Sequence, residues 1–231
     1  MKILLFIPAR GGSKGIKNKN LVRIKNKPLI KFTIDIAKKL KGYDIFISSD
    51  SKKIINYCKS LGVKVEYIRP RKISKSTSSI FETILDAIRW LEKKGLFYEN
   101  ILVLQPTNPL RSLKEIKKII NIYKKKKLVS LASITKMREH PYECIQIKDK
   151  KWKYLSEPKK KNLLSENHKS NFFFIDGSIY INSIDFIKRN KSLIVKGKTH
   201  FIKNNDDYAI DIDYPEELLF AKYKIKAKGI K

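Results

Sequence analysis

The 231-residue sequence predicts an α/β fold in which a mostly parallel sheet is covered by helices on both faces. Three observations carry this. Short apolar runs alternate with stretches of helical period up to residue 135. Runs such as Ile3 to Ile7 and Ile101 to Leu104 are continuously apolar, as strands buried on both faces require. The residues of distinctive chemistry sit in the loops that follow these runs, on the edge where ligands bind in such sheets.

In chain order, Ile3 to Ile7 is a first strand that stops at Pro8 and enters a loop rich in Gly and Lys, reading IPARGGSKGIKNKN from Ile7 to Asn20. Leu21 to Lys27 is an irregular connection. Pro28 to Leu40 places Leu29, Ile30, Ile34, Ala37 and Leu40 at helical spacing, with Pro28 suited to the first turn. Asp44 to Ser48 is a second strand; Ser49, Asp50 and Ser51 supply caps for a helix over Lys52 to Leu61, ended by Gly62. Val63 to Ile68 is a third strand, followed by Arg69-Pro70, a polar loop through Ser78, and an amphipathic helix over Ser79 to Lys94. Ile101 to Leu104 is a fourth strand leading into QPTNPLR, Gln105 to Arg111, and a helix over Ser112 to Lys126. Leu128 to Ile134 is a fifth.

From residue 136 to 171 the pattern breaks into short pieces, Tyr142 to Ile147 and Trp152 to Leu155, which read as an inserted β-rich arm. Phe172 to Ile175 and Gly177 to Ile181 return to strand character, with a short helix near Ile184 to Lys188. Tyr208 to Asp213 is a last short strand and Pro215 to Lys226 a closing helix. One domain over residues 1–231, with 136–171 as an insertion, is the economical description.

Composition narrows the function. No apolar run approaches the roughly 20 residues of a membrane span, and the apolar start is too short for a signal peptide, so a cytoplasmic protein is expected. Cys58 and Cys144 have no metal-type spacing, and His140, His168 and His200 are scattered, so no zinc site is expected. A net charge of +30 by itself suggests a nucleic-acid or anionic-membrane partner. Yet all but eight of the 52 basic residues are lysines spread along the whole chain, which fits generally solvated faces as well. There is no basic motif interleaved with aromatics, so neither a nucleic-acid nor a membrane partner is expected.

The first loop has the chemistry of an anion cradle. Gly11, Gly12 and Gly15 permit close backbone approach, and Arg10, Lys14, Lys17 and Lys19 supply charge, a combination suited to a nucleoside triphosphate. It has the spacing of neither the P-loop nor the dinucleotide fingerprint, and a solvated basic turn is the alternative. Asp211 and Asp213 lie two apart in an extended segment, so both carboxylates face one way, as a magnesium ion shared with phosphates requires. The alternative there is a helix start, with Asp213 as cap and Glu216 closing a capping box.

Taken in order, IPARGGSKGIKNKN, Ile47 to Asp50, Arg69-Pro70, Leu104 to Arg111, Gly177 to Ile181 and Asp211 to Asp213 resemble the acylneuraminate cytidylyltransferases, or CMP-sialic acid synthetases. The resemblance implies a three-layer Rossmann-like fold of the nucleotide-diphospho-sugar transferase type, with a small inserted β-rich dimerisation element. It implies a reaction in which the anomeric hydroxyl of a nine-carbon 2-keto sugar acid attacks the α-phosphorus of CTP and releases pyrophosphate, with Mg²⁺, or Mn²⁺, as cofactor. By the same resemblance Arg10, Lys14, Lys19, Asp211 and Asp213 form the catalytic set, with Asp211 and Asp213 as metal ligands. Ala9, Arg10, Gly11, Ser13, Lys14, Lys19, Asn20, Arg69, Ser78, Ser79 and Gln105 are the nucleotide-binding positions. Gln105, Arg111, Asp176, Gly177 and Tyr180 are the sugar-binding ones. A homodimer is expected on the same ground.

Departures from the family pattern fall mostly on the sugar side. Asp176 stands where the family has Asn, and the stretch at Glu166 and Asn167 replaces an Arg-x-Gln or Arg-Gln element. The loop after Arg69-Pro70 offers Lys75 or Ser76 in place of an Asp. The acceptor is therefore open among sialic, legionaminic and pseudaminic acids or another analogue, and His140 reads equally as a turn residue or a sugar contact. The alternative of another class, a non-catalytic polyanion binder, predicts salt-sensitive binding independent of Arg10 and Asp211.

Overall fold

A computed structural model describes residues 1–137, 139–157, 172–205 and 210–229. In chain order the strands are β1 (Ile3–Pro8), β2 (Arg23–Ile24), β3 (Lys27–Pro28), β4 (Asp44–Ser48), β5 (Asn100–Val103), β6 (Ser130–Lys136), β7 (Ile145–Lys148), β8 (Lys151–Tyr154), β9 (Phe173–Ser183) and β10 (His200–Lys203). The α-helices are α1 (Leu29–Lys39), α2 (Lys52–Ser60), α3 (Ile80–Lys93), α4 (Leu113–Lys125), α5 (Ile184–Asn190) and α6 (Pro215–Ala227).

Six strands form one sheet in the order β10-β6-β9-β5-β1-β4. β1 pairs in parallel with β4 and β5, and β10 with β6, whereas β9 runs antiparallel to both of its neighbours. The fold is therefore the expected α/β type with a mostly parallel sheet. Alternation along β1 shows how the layers are built: Ile3, Leu5 and Ile7 face a core closed by α1, α2 and α4, while Leu4 and Phe6 face one closed by α3 and α5. On the first side Ile30, Ile34, Ile54, Cys58, Ile116, Ile119 and Tyr123 pack on the sheet. On the second, Ile84, Ala87, Ile88, Leu91 and Ile187 do so. A third, smaller core seats α6 through Ala221 and Ile225 on Ile24, Leu29, Phe32, Leu110, Ile210 and Ile212.

Five sequence expectations need correction. Val63 to Ile68 is extended, with Val63, Val65 and Tyr67 buried and the intervening residues exposed, but it makes no ladder with β4. Its side chains anchor it on the core, and its backbone joins the fold at its ends, where Val63 donates to the Cys58 carbonyl and Arg69 to that of Ser49. The two stretches around Asp176 belong to one strand, β9, whose register against β6 shifts between Ala132 and Ile134. β10 was not expected at all; its four residues are too short a run to be read locally, and parallel pairing with β6 makes them a strand. Ile210 to Asp213 is extended but unpaired as a strand, joined to the turn after β5 by Ile212 N–H donating to Thr107 O at 2.9 Å. The irregular connection after the first loop contains the β2–β3 hairpin.

In the insertion, β7 and β8 form an antiparallel hairpin that pairs with no other strand among the described residues. Glu166, Asn167 and His168 lie outside the described residues, as do Tyr208 and the start of the strand expected there.

Cys58 is fully buried on the inner face of α2, and burial pushes its thiol pKa up to about 12. Since the thiolate is the reactive form, Cys58 is expected to resist iodoacetamide in the native protein while the half-buried Cys144 is alkylated; both react in urea. Peptide mass spectrometry distinguishes the two.

Candidate functional site

The carboxyl ends of β1 and β5 open onto a cleft of about 250 Å³ lined by Pro8, Arg10, Ser13, Lys19, Asn20, Arg69, Ile73, Lys75, Ser78, Ile80, Thr83, Gln105, Pro106, Thr107, Asp211 and Asp213. It unites the first loop, the loop after Arg69, the QPTNPLR turn and the Asp pair, from opposite ends of the chain. Four cationic side chains and two carboxylates line it.

The first loop is shaped by contacts with the protein itself. Asn20 is buried and its Nδ2 donates to the Arg10 carbonyl at 2.9 Å, closing the loop on itself. Gly11 N–H donates to Asp50 Oδ1 at 2.7 Å, so that amide is engaged within the fold. A Cβ on Gly11 would lie 2.9 Å from the Ser51 Cβ, and one on Gly15 would run into the Asp213 carbonyl oxygen. These two glycines thus serve close packing against the protein, where the sequence suggested approach to an anion. Lys19 Nζ donates to Ile212 O at 2.7 Å and to Asp213 Oδ1 at 2.5 Å, clasping the loop to the Asp segment.

The helix-start reading of Asp213 is not what the structure contains. The N-cap position of α6 is Tyr214, and Glu217 accepts from the N–H groups of Asp213 and Tyr214, at 2.6 and 2.8 Å. Asp213 caps nothing, and its carboxylate is left for Lys19 and the cleft. Burial raises the pKa of Asp211, and the neighbouring charge of Asp213 adds to the effect while Lys19 opposes it. A cation shared by the two carboxylates would relieve both penalties. Among the described residues no group of three or more His, Cys, Asp or Glu side chains is arranged around a metal position. As a pair of hard oxygen donors, Asp211 and Asp213 would leave any shared ion to take its remaining oxygen ligands from substrate and water.

On the opposite wall, Arg69 is buried and donates through Nε to Ser48 Oγ at 2.9 Å and through a terminal nitrogen to Ser48 O at 2.6 Å. Burial pulls its pKa down to about 10, with the Tyr67 and Asp50 charges opposing and the positive field of Arg10 reinforcing. Neither Arg10 nor Arg69 has an ion-pair partner among the described residues. Two neighbouring guanidiniums without a carboxylate partner form an electropositive wall suited to phosphate. Ser78 lines the cleft; Ser79 instead caps α3, its Oγ accepting from Glu82 N–H while Glu82 accepts from Ser79 N–H.

Several expected site residues sit elsewhere. Lys14 is exposed and Ala9 is buried in the core, and neither lines the cleft. Arg111 is buried behind it, donating to Ser178 O at 3.1 Å, Thr33 Oγ1 at 2.7 Å and Gln105 O at 2.6 Å. Burial lowers its pKa to about 9, with the fields of Asp211 and Asp176 opposing. It positions the turn that carries Gln105. Asp176 is also buried: Oδ1 accepts from Ser133 Oγ and Ser178 N–H, and Oδ2 from Asn204 Nδ2. Those bonds hold the register shift in β9. Tyr180 packs on the core beside α3 and α5, and burial pushes its phenol pKa up to about 12.

The residues that sequence reasoning missed are Asn108, whose Nδ2 donates to Asp211 Oδ1 at 3.3 Å, and Glu217, which fixes the backbone of Asp213. Glu217 carried a sequence signal, the Pro-Glu-Glu run after Asp213, but the choice between two adjacent glutamates depends on where the helix starts.

A family profile described as Cytidylyltransferase matches residues 4–221. A CMP-N,N'-diacetyllegionaminic acid synthase of Legionella pneumophila is 30% identical over 216 residues, covering 93% of this chain and 92% of the relative. An N-acylneuraminate cytidylyltransferase of Streptococcus agalactiae is 26% identical over 237 residues, covering 99% of this chain and 56% of that longer protein. Among solved structures, a CMP:2-keto-3-deoxy-manno-octonic acid synthetase complexed with CTP has a TM-score of 0.69 at 15% identity, covering 99% of this chain and 100% of that one. At that identity the likeness is one of fold.

Gly177 has φ +67°, and a Cβ there would lie 3.2 Å from Asp211 Oδ2 and 3.6 Å from Gln105 Nε2. Gly177→Ala is expected to cost about 1–2 kcal/mol of stability, from backbone strain and displaced carboxylate together, read as a lower urea midpoint.

Proposed function

This chain belongs to the cytidylyltransferase family, and from that premise we propose that it joins CMP from CTP to a sialic-acid-like nine-carbon 2-keto sugar acid. The new bond links the anomeric oxygen to the α-phosphorus. The bond from the α-phosphorus to the bridging oxygen breaks, pyrophosphate leaves, and the hydroxyl proton is released. The observation that carries the reading is the cleft itself, where the clasp between Lys19 and Asp213 sets an anion-binding loop against a carboxylate pair.

Each side chain has a task that follows from its position. Arg10, Ser13 and Lys19, with Asn20 shaping the loop, receive the triphosphate, whose charge matches the cationic wall. Arg69, tied to the end of β4, and Ser78 flank the cytidine. Lys75, also on the cleft wall, adds positive charge. Gln105, its backbone fixed by Arg111, stands between nucleotide and sugar. Asp211 and Asp213 would hold Mg²⁺ or Mn²⁺, which when bound neutralises phosphate charge and polarises the attacking hydroxyl. Because displacement at phosphorus asks for positioning and charge stabilisation, no protein nucleophile is required.

The acceptor is a nonulosonic acid: sialic, legionaminic or pseudaminic acid or an analogue. Arg111 and Asp176 act on it from behind, by holding Gln105 and the Gly177 turn. We further propose a cytoplasmic homodimer of single-domain chains. The β7–β8 hairpin supports the dimer, since Ile145, Ile147 and Trp152 on it, with Leu155 just beyond, are largely exposed and would be covered by a partner copy.

With CTP, Mg²⁺ and a panel of these sugar acids, purified protein is expected to release pyrophosphate with at least one member; silence across the panel rejects the reading. Asp211→Asn and Asp213→Asn are each expected to lower kcat by about 100-fold or more with unchanged circular dichroism. Retained turnover in either removes that residue from the metal set.

A further inference from the structure

We infer that the outward face of α6 is a docking surface for anionic lipid bilayers. The helix is apolar on two sides. Ala221 and Ile225 are buried in the third core, while Leu219, Phe220 and Tyr223 point away from it, with relative exposures of 64%, 37% and 67%. Leu219 and Tyr223 are four residues apart, and Phe220 lies beside them, so the three form one outward stripe. Lys222 and Lys226, also four apart, run along one flank of this stripe; Lys224 and Lys228 run along the other. Lys224 Nζ lies 5.1 Å from the Phe220 ring centroid, keeping charge and apolar surface together.

Nothing in the catalytic reading uses this face. Glu217 reaches back to the Asp213 backbone, but Leu219, Phe220 and Tyr223 do not line the cleft. A purely structural role would bury Leu219 and Tyr223, as it does Ile225.

Charge complementarity selects the occupant. A second copy docked through the same helix would set like lysine rows against this face, so self-association through α6 is opposed electrostatically. Nucleic acid would satisfy the lysines but offers the Leu219 side chain no apolar phase. The interface of an anionic bilayer satisfies both: lipid phosphates meet the lysines and acyl chains receive Leu219, Phe220 and Tyr223, with the helix lying in the membrane plane. Glu216 is exposed in the first turn and would be repelled, which centres the contact on the later turns.

The test is sedimentation of the intact protein with vesicles of phosphatidylcholine alone or mixed with phosphatidylglycerol, at low and high salt. Binding is expected only to the mixed vesicles and is expected to weaken with salt. The triple variant Leu219→Gln, Phe220→Gln, Tyr223→Gln should reduce partitioning about tenfold or more, from the loss of buried apolar groups. A second variant, Lys222→Glu with Lys226→Glu, should do the same without touching the stripe. Both should retain pyrophosphate release. Binding unchanged in the triple variant would show mere attraction by the overall charge and overturn the inference, as would no binding by the parent protein. The inference also falls if, without vesicles, the triple variant alone loses self-association on gel filtration, because the face would then be a contact between copies.

Discussion

The buried guanidinium of Arg111 is the constraint on which the rest of the site depends. A buried charge is costly unless most of its donors are satisfied. Here the Thr33 hydroxyl from α1, the Gln105 carbonyl from the turn after β5 and the Ser178 carbonyl from β9 converge on one planar group. Arg111 Nε has no partner among the described residues, so a shift of any of the three would add to a cost already carried. The turn and β9 are thereby locked together, which sets Gln105 and Gly177 beside Asp211.

The second fixed relation is the clasp of Lys19 on Ile212 and Asp213, which joins residues almost the whole chain apart. It makes the first loop and the Asp segment one object. Gly15 admits the Asp213 carbonyl, and Glu217 holds the Asp213 amide, so the carboxylate faces the cleft with its backbone fixed on both sides. Opposite stand Arg10 and Arg69 with no ion-pair partner among the described residues. The cleft is therefore polarised: a phosphate-attracting wall faces a cation-attracting one, and a metal-bound nucleotide satisfies both. α6, which begins at this clasp, then presents a second chemistry outward, away from the cleft.

Much of this was legible in the sequence because it rests on local rules. The helices follow the 3.6-residue period, and each appears within a residue or two of its expected ends. The strands of the parallel core follow continuous apolar runs. Of the site, Arg10, Ser13, Lys19, Asn20, Arg69, Ser78, Gln105, Asp211 and Asp213 were nominated by loop chemistry and ordered motifs, and the fold brings them to one cleft. What failed did so for non-local reasons. Val63 to Ile68 has the alternation of a strand, but pairing requires a neighbour at hydrogen-bonding distance, which periodicity does not report. β10 has no local signature, and β6 makes it a strand. Arg111 and Asp176 look like polar ligands in sequence, since nothing local shows that their hydrogen bonds are taken up by distant backbone.

The sequence alone determined the α/β class, the alternation of layers and the chemistry of the loops, because apolar period and residue type act over a few positions at a time. Tertiary structure alone decided direction and partnership. It reversed β9 within a mostly parallel sheet, and assigned Tyr214 and Glu217, rather than Asp213 and Glu216, to the start of α6. It also turned Gly11 and Gly15 towards Ser51 and Asp213. Those outcomes depend on contacts between residues far apart in the chain, where many pairings satisfy the same local pattern and close packing with most buried polar groups satisfied selects one.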